Sequence, residues 1–250
     1  IEAVKDIYGW FLKSFRVVDH SSQPPYEVFA GRLKTEPKLR ERVERIIADA
    51  DIGIESISIE EVPVHTRLPA DMPLVIRNAF KQFHAAISDG AESNQITVQT
   101  RHRAIDSDKA VNFDMRDDES KGTQQLFGIA PHIISAIDIG GLLVVDELDA
   151  SMHPHITAQL IRLFQQNSDK DRPAQIVFST HDTTLLNLKL LRRDQIYLTE
   201  KNNFGETRFF TLWDFPGEKA RNSAAIAKKY MEGRLGGVPR LGRTYEDSVI

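Results

Sequence analysis

Apolar residues recur at helical spacing over the first sixteen positions, where Val4, Ile7, Tyr8, Phe11, Leu12 and Phe15 share one stripe. The stretch "DHSSQPP", Asp19 to Pro25, is a polar, proline-bearing break. A charged helix is predicted from Pro37 to Ala50, with Leu39, Val43, Ile46 and Ile47 turned inward. "IGIESISIEEV" alternates apolar and polar positions and reads as a strand, and "PLVIRNAFKQFHAAI" reads as a helix with untidy apolar spacing. "NQITVQTRHRAIDSDKAVNFDMRD" predicts two strands around a polar turn near Asp106 to Lys109. From Ser120 a helix carries Leu126, Phe127, Ile129, Ala130, Ile133 and Ile134, and Pro131 inside it is expected to kink it.

Beyond that helix the pattern alternates. Strand 142–146, helix 154–166, strand 175–179, a short helix after His181, strands 195–200 and 206–211, and helix 218–232 precede a Gly/Pro-bearing tail. "LLVV" and "QIVF" show no alternation, the pattern of strands covered on both faces. The expected fold is α/β, a largely parallel sheet with flanking helices. No internal repeat or low-complexity tract interrupts it.

Composition narrows the function classes. The 250 residues suffice for one large domain or for a core with a sizeable insertion. With no cysteine, disulfides, thiolate metal sites and cysteine nucleophiles are excluded, and a reducing, cytoplasmic setting is the matching expectation. A net charge of −4 advertises no global affinity for nucleic acid. No apolar run approaches the roughly 18 residues of a membrane helix, so no membrane partner is expected. The chain opens on Ile1 rather than Met, and a start further upstream is the expectation.

The most informative stretch is "GGLLVVDELDASMHP", Gly140 to Pro154. An apolar strand delivers Asp146 and Glu147 to the carboxyl edge of a sheet, where α/β proteins place their chemistry. Burying two adjacent carboxylates is costly unless a cation or donors compensate. A strand-end Asp holding Mg2+ beside a nucleotide phosphate meets that requirement, and the following Glu is placed to polarise a water. The plain alternative is an exposed acidic turn that caps the next helix. A second apolar strand ends in "VFSTHD", where His181 either touches a phosphate or is an ordinary loop histidine. In "DESKGTQQL", Ser120, Gly122 and Thr123 open a helix, which makes either an anion site or a simple N-cap.

Taken in this order, "ESKGTQQL", "LLVVDELDASMHP", "IVFSTHDTTLL", "LLRRDQIYLTEKN" and "YMEGRLGGVPRL" resemble the C-terminal lobe of an ABC-type ATPase. The likeness is to the AAA-family branch related to chromosome-maintenance heads and OLD-family ATPases. It covers roughly residues 110–240. It implies a P-loop NTPase of ABC/SMC-head type, with a helical and β insertion or lid over 1–105 and the C-terminal lobe over 106–250. Carried over by resemblance, Ser120, Lys121 and Gly122 lie in the signature motif that reaches the γ-phosphate of a facing subunit. Asp146 is the Mg2+ ligand, acting through water, and Glu147 the catalytic base. Asp149, Ala150 and Ser151 form the loop that communicates across the dimer, and His181 senses the γ-phosphate. Thr180 and Asp182 flank it without an assigned role.

One departure is large. No G-x-x-x-x-G-K-[ST] string occurs among the 14 glycines, so the phosphate-binding lobe is expected before Ile1 or on a partner. Other constellations are weaker. His153 and His155 at i, i+2 are not on one helical face, so "HPH" is not read as a metal site. Arg101, His102, Arg103, Arg192 and Arg193 read as solvated or paired surface charges rather than a nucleic-acid patch. There is no G-x-S-x-G elbow, and no acidic cluster for a fused Toprim nuclease. The resemblance implies an ATP- and Mg2+-dependent ATPase that dimerises or oligomerises around ATP. Its expected role is as a sensor or scaffold for a nuclease or toxin effector in bacterial antiphage defence. DNA maintenance, with DNA as a partner, and a non-enzymatic interaction module are the alternatives.

Overall fold

Three short apolar strands form the parallel sheet that carries the chemistry. They are β1 (Phe15–Val18), β5 (Leu142–Val145) and β6 (Gln175–Phe178), in the order β1-β5-β6. The computed structural model describes residues 2–19, 26–50, 52–63, 72–87, 94–104, 110–167, 171–215 and 223–238. Parallel pairing sets Val18, Val145 and Phe178 level with one another. Val18, Leu143 and Val145 are buried on one face, against the core. On the other face Val17 and Val177 are each 56% exposed. The unbroken apolar runs predicted a sheet covered twice; among the described residues it is covered once, and its second face remains apolar and open.

The core helix is α5 (Lys121–Ile139), buried nearly all round through Leu126, Phe127, Ile129, Ala130, Ile133, Ile134 and Ile137. It continues through the buried Pro131 as one helix. It ends where Gly140 takes a left-handed φ of 62° and returns its N–H to Ala136 O. A Cβ at Gly140 would stand 2.5 Å from Arg172 O, so no larger residue fits. Against α5 pack α2 (Tyr26–Thr35) and α3 (Pro37–Asp49), with Leu39, Val43 and Ile47 buried and Ile46 partly so. α6 (Pro154–Gln165) joins the same core through Leu160, Ile161 and Phe164.

A second, antiparallel sheet is built from β2 (Ile54–Pro63), β3 (Asn94–Arg103) and β4 (Ala110–Asp114), with β3 central. The turn predicted between β3 and β4 at Asp106 to Lys109 lies outside the described residues, as does the "DHSSQPP" break apart from Asp19. The strands predicted at 195–200 and 206–211 are β7 (Tyr197–Lys201) and β8 (Thr207–Thr211), which pair antiparallel with each other rather than extending the parallel sheet. The reason is the connection: five residues can turn a hairpin, whereas a parallel crossover takes a dozen or more. With α7 (Ser223–Met231) they form a smaller apolar cluster of Ile196, Leu198, Leu212, Ile226 and Leu235.

Two elements were not anticipated. β1 follows directly on α1 (Glu2–Ser14), whose apolar stripe keeps helical phase up to Phe15 and hides the change of state. The β-branched pair Val17–Val18 was the signal for it. α2 was missed because its apolar positions are interrupted by Gly31 and charged residues. The stripe of α1 itself buries nothing: Val4, Ile7, Tyr8, Phe11 and Leu12 are all more than half exposed. α4 (Leu74–Ile87) likewise leaves Leu74, Val75 and Phe83 in solvent. Among the described residues no helix is long and apolar enough to cross a membrane.

His132, on α5, is half-buried and stands edge-on to Phe29 at 5.1 Å, its Nε2 buried without a hydrogen-bond partner. Burial first, and then the positive charges of Arg16 and Arg32, lower its pKa from 6.5 to about 4. The unfolded chain regains the ordinary value, so between pH 6.5 and 4 it binds more protons than the folded one. The stability that depends on neutral His132 is therefore full above about pH 6.5 and is lost as the pH falls toward 4. His132→Leu should lose less of its urea midpoint between pH 7 and pH 5 than the parent does. Equal losses would remove His132 as the source.

Candidate functional site

The site begins where the ladder of the parallel sheet runs one residue past the strands. Asp146 N–H donates to Val18 O at 3.0 Å, Ser179 N–H to Val145 O at 3.0 Å, and Leu148 N–H to Ser179 O at 3.1 Å. Asp146 and Ser179 are thereby held side by side at the carboxyl edge. Ser179 Oγ donates to Asp146 Oδ1 and accepts from Glu147 N–H at 2.8 Å. One hydroxyl thus fixes the first carboxylate and the backbone of the second. Ser179 has no distinctive local pattern, because serine is common in loops. The available signal was its place, directly after the strand that neighbours "LLVVDE".

Glu147 adopts a φ of 51°, left-handed backbone that a side-chain-bearing residue rarely takes. The turn is tied by Ala150 N–H to Glu147 O at 2.9 Å and Met152 N–H to Asp149 O at 3.0 Å, over the buried Leu148. His181 Nε2 stands 3.7 Å from Glu147 Oε1, adjacent to it but beyond a direct hydrogen bond. Asp146, Glu147 and His181 therefore form one cluster. Both carboxylates are exposed to solvent, so the desolvation cost expected of a buried pair does not arise. What marks the site is the strand-end position and the Ser179 bridge.

Ser120, Lys121, Gly122 and Ser151 form a second cluster. Ser120 is the N-cap of α5 and accepts Thr123 N–H at 3.1 Å, while Lys121 Nζ donates to Gln124 Oε1 at 3.1 Å. Ser120 can serve as a cap and still leave the N–H groups of Lys121 and Gly122 without intrahelical acceptors. Gly122 lies flush on the loop after β5: a Cβ there would come 2.5 Å from Ser151 O. Ser151 itself has a φ of 58°. Asp149, between the two clusters, has its Oδ1 buried without a hydrogen-bond partner.

The remaining polar residues have local roles. Asp182 caps the 3-10 turn Thr183–Leu185 by accepting Thr184 N–H at 2.8 Å, and its own N–H donates to Thr180 Oγ1 at 3.0 Å. His153 caps α6, its Nδ1 accepting His155 N–H at 3.2 Å. Arg103 pairs with Glu55 and Arg192 with Asp194, each at 2.9 Å, and Arg193 donates to the carbonyls of Leu212 and Phe215. The hydrogen bond from Arg192 holds the Asp194 carboxyl below its ordinary pKa.

No curated protein matches the sequence. Among the solved structures to which the chain shows similarity are two at low identity. One, from work on the ATP-driven dimerisation and DNA-stimulated activation of SMC ATPases, is 11% identical with a TM-score of 0.45, covering 86% of this chain and 99% of the other. The second is an Smc head domain with an extended coiled coil bound to the C-terminal domain of ScpA, from Pyrococcus furiosus. It is 13% identical with a TM-score of 0.40, over 81% of this chain and 39% of the other. The model of the family described as "AAA domain, putative AbiEii toxin, Type IV TA system" matches residues 3–187, well over half of the chain. That span takes in the α5 cap, both carboxylates and His181, and the chain belongs to this AAA-domain family of ATPases.

Proposed function

We propose that this chain is the motif-bearing part of an ABC-type, Mg2+-dependent ATPase that self-associates around ATP and governs an effector, a nuclease or toxin in antiphage defence. The observation that carries the reading is the Ser179 bridge, which fixes Asp146 and the Glu147 backbone together at the ends of adjacent parallel strands. Residues 106–250 contribute the functional side chains in this reading; residues 1–105, expected to be a lid or insertion, also give β1 to the parallel sheet and α2 and α3 to its core.

The oxygen donors present fit Mg2+, a hard cation that keeps several waters and takes one or two carboxylates. Asp146 would hold it, directly or through water, with Ser179 locking the carboxylate by its other oxygen. Mg2+, when bound, neutralises charge on the phosphate oxygens. Glu147 takes the proton from the attacking water. Its left-handed backbone sets the direction in which its carboxylate leaves the turn, and His181 beside it would contact the γ-phosphate. The N–H groups of Lys121 and Gly122, with the positive end of α5 behind them, would serve, together with Ser120, a phosphate held by a second copy. In this reading Asp149 and Ser151 lie on the loop that meets that copy.

The 250 residues contain no G-x-x-x-x-G-K-[ST] string. The proposal assigns the phosphate cradle to a lobe outside them, covering the open apolar face around Val17 and Val177. A second reading, an interaction module without nucleotide chemistry, is favoured by that missing string alone.

In the protein with its P-loop lobe, Glu147→Gln should keep ATP binding and lose turnover; normal turnover would remove Glu147 as the base. Ser179→Ala should raise the Mg2+ concentration for half-maximal hydrolysis on the order of ten-fold, the effect of a lost charge-assisted hydrogen bond. An unchanged Mg2+ titration would refute the bridge. Ser120→Arg should abolish ATP-dependent self-association in sedimentation, and an unchanged oligomer mass would count against the cross-subunit role.

A further inference from the structure

The residue before Ser120 carries an interaction that the proposed chemistry does not use. The Glu119 side chain is only 9% exposed, and its Oε1 accepts the Thr100 hydroxyl and lies 2.6 Å from His102 Nε2. Both partners sit on β3, the central strand of the antiparallel sheet, two residues apart and hence on one face. Thr100 is fully buried, and the His102 ring is held edge-on by Phe113 of β4 at 4.9 Å. The Glu119 backbone is gripped as well. Its N–H donates to Asp114 O, and its carbonyl accepts Gln124 Nε2 at 2.9 Å, the same amide that reaches Arg116 O at 2.8 Å. The peptide that enters the Ser120 cap is therefore fixed on both its side chain and its main chain.

We propose that Glu119 is a positioning residue for the Ser120 loop, and that its bonds to Thr100 and His102 are the joint by which the antiparallel sheet sets that loop. The inference rests on the cross-subunit role given to Ser120. A largely buried carboxylate needs donors, and both side-chain donors come from one strand that is hydrogen-bonded on each side to β2 and β4. β3 cannot shift without its neighbours, so the position of Ser120 follows the sheet as a unit. Removing the His102 donor frees the cap to adopt several orientations, of which few meet a facing phosphate.

The test uses the protein with its P-loop lobe and reads three quantities for His102→Leu and His102→Gln. These are the concentration for half-maximal ATP-dependent self-association, the nucleotide affinity of the unassociated subunit, and Tm. His102→Leu should raise the association concentration about ten-fold, with subunit nucleotide affinity unchanged. His102→Gln, which keeps an N–H donor, should recover most of the loss. If His102→Leu associates like the parent while Ser120→Arg does not associate, the positioning role is overturned and the role of Ser120 survives. If the parent itself shows no ATP-dependent association, both fall. A loss that follows Tm and is not recovered by His102→Gln reduces Glu119 to a structural residue and also overturns the proposal.

Discussion

The parallel register of β5 between β1 and β6 is the constraint on which the site depends. Val145 and Phe178 are level, so the residues after them, Asp146 and Ser179, meet at the same edge. A serine hydroxyl can then donate a hydrogen bond to the carboxylate and accept one from the next N–H. A slip of one residue in either strand would turn each side chain to the opposite face and break both bonds. Burial of Leu143 and Val145 against α5 excludes that slip, which makes an apolar contact in the core the guarantor of a polar one at the edge.

Much of this was legible in the sequence, for identifiable reasons. The apolar runs "LLVV" and "QIVF" mark their strands, and the abrupt change to carboxylates marks where the sheet edge lies. The helix opened by Ser120 follows from a side chain that binds its own backbone. Periodicity cannot report what a strand pairs with, so the separate hairpin of β7 and β8 and the place of β1 in the parallel sheet emerged only in three dimensions. Nor can it report which apolar face is covered. The stripe on α1 reads like a buried helix and is exposed among the described residues, as is one face of the sheet.

The partners of Ser179, Glu119 and His102 are not legible in the sequence, for another reason. Each acts through a partner distant in sequence: 33 residues from Ser179 to Asp146, and 17 from His102 to Glu119. Ser120 and Gly122, by contrast, announce themselves through local chemistry. Gly122 does so for a reason that the local pattern does not contain, the carbonyl of Ser151 against which no side chain fits.

If Glu147 acts as the proposed base, its left-handed backbone places folding and chemistry in competition at a single codon. A non-glycine residue in that conformation costs about 1 kcal/mol or more, a fraction of what holds a domain together. Glycine would relieve it at once and delete the carboxylate. Under selection for yield or heat resistance alone, position 147 therefore drifts toward a quieter, better-folded protein without its acid. In the proposed reading, the glutamate there is what the chemistry asks of a position whose backbone alone favours glycine.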